Sequence, residues 1–166
     1  MQVHDYGMLN TQTDPRFGGR KYGRLGTIAK NGCGLIALYN VERAANAATQ
    51  FDPFYEARKP IKTNLFGLLG TRPSAVSRHL IQRGFRVTKI ARKTADAEPM
   101  HDAIIVLYWF PFGAHYVAGI ADGSGRYLLY NEFTEPHPML LPRYLDFIRE
   151  RKRHLVRVWG VDFPKA

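Results

Sequence analysis

Asn31-Gly32-Cys33-Gly34 leads directly into the apolar run Leu35-Ile36-Ala37-Leu38-Tyr39-Asn40-Val41. Glycine on both sides of a cysteine, followed by apolar residues at helical spacing, predicts a helix that starts at Cys33 and covers 33–49. Backbone N–H groups at a helix start carry the positive end of the helix dipole, so they favour the thiolate form of a cysteine placed there. Cys33 is the single cysteine of the chain and is therefore the candidate nucleophile; the plain alternative is a small buried apolar residue.

A catalytic thiol needs a general base, and the chain has six histidines. His115 stands out because it opens the alternating apolar segment 115–120, which is typical of a strand. A glycine-containing turn at 122–125 and a second strand at 126–131 follow, so the pattern predicts a β-hairpin. Folding this hairpin about its turn brings Asn131 to within about one residue of the position opposite His115, and a bulge or a five-residue loop would pair the two directly.

Cys33, His115 and Asn131 together supply a nucleophile, a base and a group that orients the imidazole. Taken alone, each residue also has a non-catalytic interpretation: Cys33 as a small buried apolar residue, His115 as a strand-end histidine with a structural hydrogen bond, and Asn131 as a strand-end amide. The combination in one chain favours the catalytic reading.

The order Cys, His, Asn and the local sequence resemble the papain-like cysteine peptidases, in particular the bacterial double-glycine, or bacteriocin-processing, peptidases. Three stretches carry the resemblance: Gln12-Thr13-Asp14-Pro15-Arg16-Phe17, residues 26–34 around the cysteine, and the hairpin from His115 to Asn131. Two positions depart from the family pattern. Leu35 stands where proline usually follows Cys-Gly, and Thr27 stands where many members carry glutamine.

The resemblance implies a Cys33–His115–Asn131 triad and a peptide substrate with small residues, such as Gly-Gly, before the cut. It also implies that Gln12 donates to the oxyanion, with Asn31 as the second candidate and the Cys33 backbone N–H contributing in either case. It implies no cofactor. The chain has neither a cysteine pair nor a His-x-x-x-His pair, so the sequence predicts no metal site either.

Along the chain, segments with helical periodicity come first and segments with strand periodicity follow. This order predicts an α+β fold in which N-terminal helices pack on a C-terminal antiparallel β-sheet. We expect one domain over 1–166, divided into a surface arm, a helical half and a sheet half at 1–30, 31–84 and 85–166. A mixed aromatic and proline segment at 51–69 is predicted as a loop with one short helix. Helices are expected after the cysteine helix at 71–83 and 141–153, and strands at 85–91, 103–110, 115–121, 126–133 and 154–163.

The net charge of +10 is concentrated in 16–93, where sixteen Lys or Arg residues face three acids. Such a field stabilises a thiolate and attracts acidic substrates. It also suits nucleic acid, but no nucleic-acid motif is present, so a peptide or protein substrate is the expected partner. The oligomeric state is left open. No apolar run reaches the length of a membrane span, and the N-terminus lacks a Sec signal pattern, so we expect a cytoplasmic protein or one exported by another route.

Three functions remain open from the sequence. The first is hydrolysis of peptide bonds by a thiol-dependent hydrolase, the papain-like cysteine peptidase. The second is deamidation or transamidation of glutamine by the same triad, as in papain-like bacterial effectors and toxins. The third is peptide binding without catalysis, which the retention of Cys33, His115 and Asn131 argues against.

Overall fold

The computed structural model describes residues 6–45, 70–91, 100–132, 139–141 and 148–164. Within these ranges a buried helix packs against one face of an antiparallel sheet, which confirms the predicted α+β arrangement. The elements in chain order are β1 (Lys21–Tyr22), β2 (Gly26–Thr27), α1 (Ile28–Asn31), α2 (Cys33–Ala45), α3 (Pro73–Gln82), β3 (Arg86–Ile90), β4 (Ala103–Phe110), β5 (Gly113–Ala121), β6 (Tyr127–Tyr130), β7 (Met139–Leu141) and β8 (His154–Asp162).

The main sheet has the strand order β3-β8-β4-β5-β6-β7, with every pair antiparallel. Strand β4 lies in its interior and is buried on both faces from Ala103 to Tyr108, as its nearly continuous apolar sequence requires. Successive side chains of β4 and β5 enter two different cores because strand side chains alternate between faces. Leu107 and Tyr116 face the core around α2, whereas Tyr108 and Val117 face the core on the opposite side.

Helix α2 is buried on all sides through residues 33–42, although its sequence predicted only one buried face. Its two buried polar side chains are both hydrogen-bonded, as burial demands. Asn40 bonds the backbone N–H and C=O of Leu9 at 2.8 and 2.7 Å. Glu42 contacts His79 at 2.6 Å and Arg83 at 3.1 Å, which ties α2 to α3.

Two expectations about the ends of the chain need correction. The segment predicted as a surface arm contributes the buried side chains Leu9, Gln12, Phe17, Tyr22 and Ile28, because its aromatic and aliphatic residues pack into the α2 core between the glycine turns.

The helix expected at 141–153 is replaced at its first residue by strand β7, which pairs with β6; residues 148–150 are helical, and 142–147 lie outside the described residues. The predicted loop at 51–69 and the last turn of the cysteine helix also lie outside them. None of the helices in the described part of the chain has the length and hydropathy needed to cross a lipid bilayer.

Candidate active site

Cys33 is the first residue of α2 and follows the short helix α1 after a single glycine. The Gly32 N–H closes α1 by donating to the Ile28 carbonyl at 2.8 Å. Gly34 lies against Thr71, and a Cβ atom at this position would come within 2.6 Å of the Thr71 Cβ. Glycine after the cysteine therefore allows the start of α2 to approach the Thr71 segment closely, which sets the position of the sulfur.

The Cys33 side chain is 7% exposed, and burial raises the pKa of its thiol to about 11. The backbone N–H groups of Tyr116, Gly34 and Cys33 itself act in the opposite direction, since they stabilise the thiolate. The expectation that the helix start holds a thiolate is therefore wrong for the substrate-free protein. Desolvation outweighs the N–H donors, and the thiol is neutral near pH 7.

His115 lies on β5, where its side chain is completely buried. Its Nε2–H donates to the backbone carbonyl of Asn131 at 2.5 Å. This bond places the proton of the neutral ring on Nε2, so Nδ1 carries the lone pair. Burial lowers the pKa of His115 to about 4; the Asn131 carbonyl opposes this shift and the positive charge of Arg153 adds to it.

Asn131 meets the imidazole through an atom that the sequence did not predict. Ala118 pairs with Tyr130 at the end of the β5–β6 ladder, so Asn131 lies past the last pair rather than next to the position opposite His115. Its φ of 68° turns the carbonyl towards the ring, while its Nδ2 donates to the Tyr116 carbonyl at 3.4 Å. In place of the predicted side-chain contact, the imidazole is bonded by the backbone carbonyl of Asn131.

Gln12 is 2% exposed, and its Nε2 donates to the Ala29 carbonyl at 2.7 Å. This bond fixes which end of the amide is the nitrogen, and a side-chain amide nitrogen carries a second N–H. Gln12 and Asn31 both line the cleft into which Cys33 opens. The structure thus brings both oxyanion candidates to the nucleophile's cleft.

This cleft has a volume of about 340 Å³ and is shared by the thiol and the imidazole. Asn131 is not among its lining residues. The lining residues are Gln12, Lys30, Asn31, Cys33, Gly70, Thr71, Pro73, Leu107, Trp109, Phe110, Phe112, Gly113, Ala114, His115, Tyr116 and Val156. At its rim two aromatic side chains are exposed: Trp109, near the end of β4, at 53%, and Phe112, in the turn between β4 and β5, at 93%. The cleft therefore has two walls. The helix wall is polar and carries Gln12, Asn31 and Cys33, and the sheet wall is largely apolar and carries Trp109, Phe112 and His115.

The sequence reasoning missed three residues beside the imidazole. The Tyr108 hydroxyl donates to Glu132 Oε2 at 2.6 Å, and its ring lies edge-on to His115 with the centroids 5.7 Å apart. The Arg153 guanidinium lies 5.8 Å from the centroid of the same Tyr108 ring. Tyr108 was detectable in principle, since the β4–β5 hairpin pairs it directly with His115. In the described ranges, no group of three or more His, Cys, Asp or Glu side chains could hold a metal ion.

Comparison with solved structures identifies peptidase domains with the same fold. The peptidase domain of Streptococcus ComA, a bi-functional ABC transporter involved in a quorum sensing pathway, matches with a TM-score of 0.57 at 14% identity, over 89% of this chain and 99% of that domain. The peptidase domain of Streptococcus mutans ComA in complex with a small molecule inhibitor matches with a TM-score of 0.50 at 13% identity, over 86% and 98%. No protein-family model and no curated protein sequence matches the chain. The fold is thus the papain-like one that the sequence resemblance implied.

Proposed function

We propose that the chain is a papain-like cysteine peptidase, with Cys33 as nucleophile, His115 as general base and acid, and the Asn131 carbonyl as the group that orients the imidazole. The observation that carries the proposal is the shared cleft, which is lined both by a thiol at a helix start and by a buried histidine whose Nε2–H is already hydrogen-bonded. The Tyr116 N–H that acts on the sulfur belongs to the residue after His115, which supports a close approach of the two groups.

The reaction would begin from a neutral pair, because burial raises the pKa of Cys33 to about 11 and lowers the pKa of His115 to about 4. The Cys33 sulfur forms a bond to the carbonyl carbon of the substrate as its proton moves to His115 Nδ1. The imidazolium then passes this proton to the leaving amine as the C–N bond breaks. Water hydrolyses the resulting thioester with His115 again as base, which releases the acid product and restores the thiol.

The negative charge on the substrate oxygen needs donors that are fixed before the reaction starts. The Cys33 backbone N–H is one such donor. The second N–H of Gln12 Nε2 is our candidate for the other, since the first is held by the Ala29 carbonyl and the side chain lines the cleft. Asn31 is the alternative because it lines the same cleft.

The substrate is a peptide or protein, and the family resemblance adds a preference for small residues such as Gly-Gly before the cut. The positive charge of the segment 16–93 extends to the cleft through Lys30, whose side chain is exposed there. Acidic residues near the cleavage site would therefore assist binding. We take the catalytic domain to be 1–166.

Digestion of a peptide library, read by mass spectrometry with wild-type protein and Cys33→Ala in parallel, tests the function. We expect new peptide termini that require Cys33 and that cluster after small residues. Ammonia release from glutamine without cleavage would select the deamidase or transglutaminase alternative. Peptide capture with neither product would select a binding domain, and either result would reject the peptidase.

A further inference from the structure

A buried hydrogen-bonded pair, Tyr108 and Glu132, lies beside the imidazole and has no part in the chemistry described above. The Tyr108 ring is completely buried, Glu132 is 2% exposed, and the phenol donates to the carboxylate at 2.6 Å. A carboxylate withdrawn from water is costly unless it is hydrogen-bonded. The phenol therefore has a defined partner, and the orientation of its ring is fixed.

The pair reaches His115 first through the ring of Tyr108. Tyr108 is the cross-strand partner of His115 in the β4–β5 ladder, and the two rings meet at an interplanar angle of 72°. The Arg153 guanidinium lies over the Tyr108 ring and also over Phe110, at 5.8 and 5.7 Å from their centroids. With its hydroxyl bonded and its ring packed, Tyr108 restricts the plane in which the imidazole can lie.

The pair reaches His115 a second time through the backbone, because Glu132 follows directly on Asn131. A non-glycine residue at a φ of 68° persists only where its neighbours fix it, even though asparagine tolerates this region better than most residues. Asn10 accepts the Asn131 N–H at 3.0 Å on one side of the turn. The Glu132–Tyr108 bond anchors the chain on the other side of the turn. The Asn131 carbonyl, which lies between these two anchors, accepts the hydrogen bond from His115 Nε2–H.

We propose that Tyr108 and Glu132 are positioning residues that hold His115 in its Nε2–H tautomer, by fixing both the plane of the ring and the carbonyl that accepts its proton. The use of the Nδ1 lone pair as a base rests on the proposed function. The tautomer itself does not, so it can be tested by a signal other than activity.

The test uses protein labelled with ¹⁵N-histidine, in which NMR correlations from the ring carbons report the tautomer of each imidazole. His115→Gln identifies the signals of His115. In the wild type we expect His115 as the Nε2–H tautomer at pH 7, with a slowly exchanging ring proton. In Tyr108→Phe, which keeps the ring and removes the hydroxyl, we expect a mixture of both tautomers. Cleavage should then show kcat lowered by about tenfold to a hundredfold, with KM nearly unchanged.

Tyr127→Phe is the matched control. Tyr127 belongs to the same core as Tyr108, and its hydroxyl bonds the backbone of His101 at 3.1 and 3.2 Å, so the variant also loses one buried hydroxyl. It should keep the wild-type tautomer of His115 and the wild-type kcat. Glu132→Gln retains an oxygen that accepts the Tyr108 proton, so we expect it to keep the tautomer and most of kcat. Glu132→Leu removes the acceptor of the Tyr108 hydroxyl, so it should give the same mixture of tautomers as Tyr108→Phe, and it is the test variant if Tyr108→Phe does not fold.

An unchanged tautomer in folded Tyr108→Phe would overturn the proposal whatever the activity of the variant. So would a wild-type protein in which His115 is already a mixture, or a folded Glu132→Leu that keeps the wild-type tautomer. Cleavage that persists in Cys33→Ala would instead overturn the proposed function and leave the tautomer result standing.

Discussion

Burial keeps Cys33 on one wall of the cleft and His115 on the other uncharged, but it shifts their pKa values in opposite directions. On the helix wall, buried Cys33 has three backbone N–H groups acting on its sulfur, and burial still raises the pKa of the thiol. On the sheet wall, His115 is packed against aromatic Tyr108 and donates to a backbone carbonyl, and burial lowers the pKa of the imidazole. Each wall therefore keeps its titratable group neutral, and in the proposed mechanism charge separates only when a substrate is bound.

The largest expected effect comes from removing the reactive atom of either wall. Cys33→Ala and His115→Ala should each lower kcat by at least about 10³-fold, and the double variant should lose little more, because the two residues act as a unit. The rate of cleavage of a peptide selected from the library measures this. His154→Ala, at an exposed histidine on β8, is the control and should be fully active. A His115→Ala variant with wild-type kcat would exclude the sheet wall from the reaction.

Removal of an oxyanion donor should have the next largest effect. Gln12→Ala should lower kcat by about 10²- to 10³-fold with KM little changed, since the lost bond forms only in the transition state. The matched variant Asn31→Ala should change kcat far less. Gln12→Ala also loses the bond from Gln12 to the Ala29 carbonyl. Thermal unfolding measures whether this loss destabilises the protein, so that a fall in kcat can be distinguished from unfolding. A larger loss of kcat in Asn31→Ala would assign the donor to Asn31.

The His115 and Cys33 contributions to the free energy of unfolding should be lost at opposite ends of the pH scale. His115 has its pKa lowered from 6.5 to about 4, so the unfolded chain takes up a proton first and the free energy of unfolding falls as pH drops through this interval. Cys33 has its pKa raised from 9.0 to about 11, so stability is complete below 9 and falls as pH rises towards 11. Each loss amounts to about 3 kcal/mol.

Urea unfolding at a series of pH values measures both losses, with each variant compared with the wild type. In a plot of the free energy of unfolding against pH, His115→Gln should reduce only the loss at acid pH. Cys33→Ala should reduce only the loss at alkaline pH. If His115→Gln and the wild type lose the same free energy of unfolding at acid pH, the imidazole is not buried as described.

The smallest expected effect lies at the rim of the sheet wall. Phe112→Ala should raise KM by about tenfold and leave kcat and stability nearly unchanged, because this exposed ring lines the cleft and can cover an apolar part of the substrate. Ile81→Ala is the matched control, since Ile81 is 59% exposed on α3 and does not line the cleft. Equal KM values for the two variants would remove Phe112 from substrate binding.

The helix wall was largely predictable from sequence because its determinants are local. Glycines around Cys33 and the apolar residues after it specify the start of α2 without reference to any distant segment. The pKa of the thiol was not predictable, since the sign of its shift depends on burial by residues far along the chain.

The sheet wall was predictable only in outline. Its strands follow from apolar alternation, but the register of β5 with β6 depends on the conformation of the glycine turn between them. The positive φ of Asn131 and the Tyr108–Glu132 bond follow from that register and from contacts across the fold. The sequence therefore indicated Asn131 without indicating that its carbonyl contacts His115.

The presence of a single cysteine permits a direct test of the central claim that the Cys33 thiol is the nucleophile. The protein is treated with iodoacetamide for increasing times, and each sample is divided between intact-mass measurement and a peptide cleavage assay. The account predicts that the residual cleavage rate equals the fraction of Cys33 that remains unmodified, down to zero. Full cleavage by protein in which Cys33 is completely alkylated would contradict it.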